Sequence, residues 1–217
     1  MKTVAVVLLS GGQDSATCLA MAVNEFTHIH CVCFDYGQRH RIEIDASKKL
    51  AQHAGASFQC IDLRFIADLS HSALIHDDQP IVHNDNELPS TFVPGRNALF
   101  LTVAAMIAHQ KEAGVIVTGV CQTDFSGYPD CREDFIHSQQ QTINLAMEND
   151  LQIRTPLMHL TKAETVIEMN RLGRLDWYKD THTCYEGLRP ACGQCPACKL
   201  RLNGFSEANI SDPLRYQ

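Results

Sequence analysis

The 217-residue chain has no apolar run approaching the ~18–20 residues of a membrane-spanning helix, so no membrane partner is expected. It also lacks any cluster of Lys or Arg. Its 18 basic residues against 25 acidic ones leave a formal net charge of −7. Affinity for a nucleic-acid backbone comes from basic side chains neutralising phosphates, so direct nucleic-acid binding is not expected either. Internal repeats, low-complexity tracts and Ser/Gly-rich linkers are absent. No Lys follows the early glycines, which excludes the Walker phosphate loop. The start, Met1-Lys2-Thr3-Val4-Ala5-Val6-Val7-Leu8-Leu9-Ser10, has the positive residue and apolar core of a secretory signal. That core is short and runs into Ser10-Gly11-Gly12, which suits a buried strand entering a loop better than a cleavage site. A cytoplasmic location is the expectation.

A hydrophobic fraction of 45% is enough for one full core plus a small appendage. Short apolar runs alternate with amphipathic stretches. Strands are expected over Thr3–Leu9, His28–Tyr36, Ser57–Leu63, Gly114–Gly119 and Leu151–Pro156. Helices are expected over Ser15–Asn24, Arg41–Ala54, Asn97–Glu112, Arg132–Asn149 and Thr161–Leu172, the last opened by a Thr161/Glu164 capping box and stopped by Gly173. Residues 77–94 read as a loop. The near-continuous apolar helix Ala98–Ala108 suits either the core or an interface. This alternation predicts a doubly wound α/β domain with a mostly parallel five-stranded sheet, Rossmann-like, over residues 1–175. Ligands in such sheets bind beyond the carboxyl ends of the strands.

The first strand runs straight into Ser10-Gly11-Gly12-Gln13-Asp14-Ser15 and then a helix. Two glycines bring backbone N–H groups close to an anion, and the helix start adds unpaired N–H groups and a positive dipole end. Leu9, Ser10, Gly11, Gly12, Gln13, Asp14, Ser15, Ala16, Thr17, Cys18 and Leu19 therefore make an anion cradle with its supporting turn. Asp14 conflicts with an anion unless a metal ion bridges the two.

Ten cysteines fall into two groups. Cys18, Cys31, Cys33, Cys60, Cys121 and Cys131 are scattered, as small core residues are. Cys184, Cys192, Cys195 and Cys198 are bunched as C-x7-C-x2-C-x2-C, with Gly193 and Pro196 shaping the turns. Four thiolates at ~2.3 Å complete a tetrahedral zinc shell with no open position, which makes the expected site structural, within a region spanning 176–217. Iron–sulfur clusters also use closely spaced cysteines, so metal analysis must separate the two. Metal binding would supply folding energy to a tail with little apolar content of its own.

Several segments together resemble the 7-cyano-7-deazaguanine synthase family of the ATP pyrophosphatases. They are Leu9–Ser15, Phe34-Asp35-Tyr36-Gly37-Gln38-Arg39-His40, Phe92-Val93-Pro94-Gly95-Arg96-Asn97, Thr118-Gly119-Val120 with Tyr128-Pro129-Asp130-Cys131-Arg132, Thr155-Pro156-Leu157 with Lys162, and the four-Cys tail. Gln122-Thr123-Asp124-Phe125-Ser126 aligns least well. The resemblance implies ATP-dependent conversion of 7-carboxy-7-deazaguanine and ammonia to the nitrile, through two adenylations that release AMP and pyrophosphate. It further implies magnesium with the ATP, a structural zinc and a homodimer. Asp14, Arg96 and Lys162 become the candidate catalytic residues. Tyr36, Gln38, Arg39, Asp124, Phe125, Tyr128 and Asp130 become candidates for the deazaguanine, which wants an aromatic face and a carboxylate. His40 is a candidate proton shuttle. A tRNA-thiolating or other amide-forming ATP pyrophosphatase is the competing reading, and the acidic charge argues against the thiolating one.

Overall fold

Val-rich Val4–Leu8 forms β1 at the centre of a sheet covered on both faces, as a near-continuous apolar run requires. The computed structural model describes residues 4–76, 78–79, 88–122 and 127–217. The chain continues through α1 (Gln13–Glu25), β2 (His28–Asp35), α2 (Ile42–His53), β3 (Ser57–Asp62), α3 (Arg96–Gln110), β4 (Val115–Val117), α4 (Glu133–Met147), β5 (Gln152–Arg154), α5 (Lys162–Arg171) and α6 (Pro196–Glu207). The sheet has five strands in the order β3-β2-β1-β4-β5, all pairs parallel.

Alternation along β1 divides the core. Ala5 and Val7 face one layer with Leu19, Leu50, Val166, Met169 and Phe205, while Val6 faces the other with Phe34, Leu101, Ala105, Ile136 and Ile153. The buried face of α3 (Leu101, Ala104, Ala105, Ile107, Ala108) is core, while Met106 on the same helix is exposed. The chain leaves β1 toward β2 and returns from β3 across to β4. The order reverses between β1 and β4, and a crevice opens there beyond their carboxyl ends.

The helix α5 carries the expected capping box: Thr161 Oγ1 accepts from Glu164 N–H, and the Glu164 carboxylate accepts from Thr161 N–H at 2.8 Å. The tail differs from expectation. It contains α6, started by Cys195 as N-cap and Pro196 in the first turn, and it packs Phe205 into the main core against Tyr178. Apolar burial thus joins any metal in holding it. Arg201, 1% exposed, lies between the Tyr178 and Phe205 rings and makes two bonds to Asp212 at 2.7 and 2.8 Å. Among the described residues no helix is long and apolar enough to cross a membrane.

Candidate active site

The turn after β1 is tight because Gly11 takes φ +83°. A Cβ there would sit 2.3 Å from the Glu43 backbone oxygen, so the first turn of α2 presses directly on the loop. Ser47 strengthens that contact by donating to both Leu9 O (2.8 Å) and Glu43 O (2.9 Å). From the other side His182 N–H donates to Gly11 O at 2.8 Å, so the tail also grips the loop. Within the loop Ser10 Oγ donates to Ser15 Oγ, which donates to Gly12 O. Gly12 is the N-cap of α1 and makes no side-chain capping bond.

A cavity of about 380 Å³ lies over this loop, within the ~300–1,000 Å³ range of small-molecule sites. Leu9, Ser10, Gly12, Gln13, Asp14 and Ser15 line it, with Lys162. Ala16, Thr17, Cys18 and Leu19 sit fully buried in α1 and support the loop from behind. Gln13 is only 3% exposed, and neither of its amide atoms has a hydrogen-bond partner. Asp14 Oδ2 accepts from Lys162 Nζ at 2.6 Å, while its Oδ1 is buried without a partner. Orphaned buried polar atoms cost ~1–3 kcal/mol each. Three of them at the mouth of one loop mark a place where a polar ligand offsets that cost. The donor set fits a magnesium nucleotide: loop amides and Lys162 for phosphate oxygens, Asp14 for the cation.

The opposite wall is aromatic and cationic. Arg96 opens α3 just after Gly95 (φ +71°). Its guanidinium lies 5.7 Å from the Tyr36 ring centre and 5.8 Å from that of Tyr128. Burial works against its charge, but the Tyr36 and Tyr128 phenols, Asp130 and Cys131 outweigh that and hold its pKa above the ordinary value. Phe100 completes the wall, stacked on Phe34 at 4.2 Å. Tyr128 is fixed by a 2.5 Å bond between its hydroxyl and Thr91 Oγ1. Asp130 sits behind this wall. Its Oδ2 accepts from Asn97 N–H at 3.1 Å, and its buried Oδ1 has no partner.

Some predicted residues spend their polar groups elsewhere. Gln38 lines the cavity but braces its own turn, accepting from Tyr36 N–H and donating to Phe34 O. Arg39 is not a lining residue; it donates to the backbone oxygens of His76 and Gln79. His40 bonds Tyr185 O at 2.9 Å, and its ring occupies the space a Cβ on Gly187 would take, so it ties the tail to the β2 turn. Asp124 and Phe125 lie outside the described residues.

The ligand sulfurs of Cys184, Cys192, Cys195 and Cys198 all lie within 4.8 Å of one another. Backbone N–H groups point at them: Gln194 and Cys195 at Cys192 Sγ (3.4 and 3.3 Å) and Cys198 at Cys195 Sγ (3.5 Å). Such bonds favour thiolates, and the spacing is that of a tetrahedral four-sulfur shell. The cluster fits a structural zinc.

The family profile described as "Queuosine biosynthesis protein QueC" matches residues 4–209. The chain belongs to this family. Among solved structures, the QueC-family chain is similar to an NH3-dependent NAD synthetase from Campylobacter jejuni, at 14% identity and a TM-score of 0.51 over 79% of this chain and 64% of that one. An NMN synthetase from Francisella tularensis matches at 14% identity and 0.51, over 97% and 73%. A 4-thiouridine synthetase, solved as an RNA complex with bound ATP, matches at 17% identity and 0.50, over 94% and 53%. At these identities the likeness is one of fold. The chain spans 64% of the NAD synthetase's length and 53% of the thiouridine synthetase's.

Several cavity residues of this QueC-family chain were not among the expected ones: Glu43, Phe100, His182, Thr183, Tyr185 and Arg201. Three of the six come from the short segment around the first tail cysteine, which folds back over the loop. Glu43 had a local signal: it lies one turn beyond the Tyr36–His40 segment already assigned to the ligand edge. Burial pushes its carboxyl up to about 7 despite the opposing pull of Arg96.

Proposed function

We propose that this protein is a C–N bond-forming ligase that converts 7-carboxy-7-deazaguanine and ammonia to 7-cyano-7-deazaguanine, consuming two ATP as AMP and pyrophosphate. The observation that carries the reading is one continuous cavity. It joins a glycine loop with orphaned Gln13 and Asp14 atoms to the Tyr36–Arg96–Tyr128 wall. A nucleotide diphosphate fits the first, and a flat heterocycle with an anionic carboxylate fits the second. Membership of a queuosine biosynthesis family and the NH3 dependence of the NAD synthetase point the same way.

A carboxylate is a poor electrophile because its oxygen leaves badly. Its oxygen attacks the α-phosphorus of ATP, and pyrophosphate departs. Lys162 and the loop amides hold the departing phosphates, and Arg96 orients the carboxylate. Asp14 and Lys162 fix one another, so loss of either disturbs both. Magnesium, held at Asp14 when bound, supplies charge neutralisation on the phosphates. Ammonia then displaces AMP to give the amide. The amide oxygen attacks a second α-phosphorus, and loss of AMP with the remaining nitrogen protons leaves the nitrile. Tyr36, Tyr128 and Asp130 are the residues we assign to the deazaguanine, with Gln38 acting through the turn it braces. Arg39, Asp124 and Phe125 stay as candidates on the resemblance alone.

The zinc role is to close the Cys184–Cys198 segment so that His182 reaches Gly11 O, and we keep the division between residues 175 and 176 as part of the proposal. A homodimer and a cytoplasmic setting belong to the same reading. Sedimentation velocity checks the pairing. Against the thiolating alternative stand the formal charge of −7 and two of the cavity thiols, Cys33 and Cys131, which burial pushes up to about 12. Mass spectrometry of protein incubated with the deazaguanine acid, magnesium ATP and ammonium tests the proposal. Nitrile with AMP supports it; AMP without nitrile assigns a different acceptor.

A further inference from the structure

We propose that the Glu43 carboxylate is the base that accepts the proton from the ammonia nitrogen as it joins the activated acyl carbon. This rests on the reaction proposed above. Glu43 stands in the first turn of α2, and its own backbone oxygen presses on the loop at Gly11, so its root is fixed beside the nucleotide. Its side chain lines the same cavity as Ser10, Asp14 and Arg96, at the junction of the phosphate loop and the aromatic wall. Among the described residues, the carboxylate has no hydrogen-bond partner and no ion pair within 4.0 Å. Glu43 is half-buried, and its unpaired carboxylate opens into the cavity, where a reactant can reach it.

The charged and titratable groups facing it are Arg96 from α3, Cys33 and Tyr36 from the β2 end, and Tyr185 from the tail. Arg96 is cationic. Burial pushes Cys33 and Tyr36 up to about 12 and raises Tyr185 further, so all three keep their protons near neutrality. Asp14 is held by Lys162 at 2.6 Å. His182 also lines the cavity, but its ring is tied to Cys184 O at 3.0 Å, which leaves Glu43 as the open group whose proton affinity, near pH 7, suits a general base. The step balances. The nitrogen lone pair forms the C–N bond, the C–O bond to phosphate breaks with its electron pair leaving on AMP, and one nitrogen proton passes to Glu43. The acid returns that proton to water before the next turn. Forming the nitrile takes two further protons from the same nitrogen, and the same carboxylate is in place for them.

The test uses the full-length zinc-loaded protein with Glu43→Gln and Glu43→Asp. Rates are measured against pH at saturating ATP and deazaguanine acid, with ammonium or with hydroxylamine as nucleophile. Hydroxylamine is largely neutral at pH 7 and needs base assistance less. Glu43→Gln is expected to lower nitrile formation by ~10²–10⁴-fold. Its hydroxamate formation stays within about threefold of the parent, because adenylation does not need the base and hydroxylamine needs it less. The parent shows an acid limb near pH 7, Glu43→Asp keeps a limb with a reduced rate, and Glu43→Gln loses it. A parent that makes nitrile beside a Glu43→Gln variant with the same limb and rate overturns this inference alone. So does an equal loss with both nucleophiles. A parent that makes no nitrile overturns the underlying reaction, and this inference with it.

Discussion

Replacing Gly204 by Ala places a methyl group 2.6 Å from Lys162 Cβ and 3.1 Å from its carbonyl carbon. Gly204 belongs to the tail helix α6, and Lys162 begins α5 and holds Asp14 in the nucleotide loop. Ordinary contact begins near 3.4 Å, so the two helices must separate by about 0.8 Å, the difference of those distances. Displacements of that size cost catalysis up to ~10²-fold when they move a positioning group, so kcat/KM for ATP is expected to fall ~10–100-fold. Stability should change much less. Ala gains ~1 kcal/mol of helix propensity over Gly, while overpacking costs ~1–3 kcal/mol. The net loss is ~0–2 kcal/mol, a shift of at most about 8 °C in Tm for a chain of this length. AMP release by chromatography and thermal melts by circular dichroism read the two effects. Gly114→Ala is the control, since nothing lies within 4 Å of its added Cβ. A Gly204→Ala variant that keeps full activity and melts higher would show helix propensity acting alone and would refute the coupling of tail to loop.

Asp14→Ala is expected to abolish ATP-dependent turnover while the melt and the zinc content survive, because Asp14 lines the cavity and is itself 28% exposed; near-normal AMP release removes Asp14 from the mechanism. Purified protein should be colourless with one zinc per chain by elemental analysis. Chelation should cost nucleotide binding as well as α6, through the His182-to-Gly11 bond; iron and a brown colour contradict the zinc assignment. Because the folded Glu43 pKa is raised from 4.5 to about 7, its neutral form stabilises the fold fully below about pH 4.5, and that contribution is lost as pH rises through 7. Urea midpoints of Glu43→Gln and the parent should therefore coincide near pH 4.5. The variant should be ~1–3 kcal/mol more stable at pH 8, and a constant difference across that range rejects the shift.

The local elements were legible because their signals are local. Val-rich β1, the glycines after it and the Thr161–Glu164 box each act within a few residues, and each appears in place. The expected strands ran long by one to three residues each in total, as at β4, where Gly114–Gly119 was expected and Val115–Val117 forms. The α6 helix went unread because its stripe is thin: Cys198 and Cys195 read as ligands, and Arg201 carries no apolar signal although it is the largest fully buried side chain. The cavity was half legible. Gln13, Asp14, Arg96, Tyr128 and Lys162 follow strands or open helices, where position alone marks them. Glu43, His182 and Tyr185 reach it through contacts between segments far apart in sequence, the first by α2 pressing on Gly11 and the others by the tail folding back. No periodicity records such contacts. Arg39 shows the converse: it adjoins Gln38, which lines the cavity, yet its guanidinium turns to His76 and Gln79.

The central claim is that the loop around Gly11 and Gly12 presents the α-phosphorus of ATP to a carboxylate oxygen. Feeding the deazaguanine acid with both carboxylate oxygens as oxygen-18 and weighing the AMP tests it directly. Two AMP per nitrile, each carrying one heavy oxygen, is the predicted outcome. Unlabelled AMP, or label appearing in ADP or phosphate instead, would contradict it.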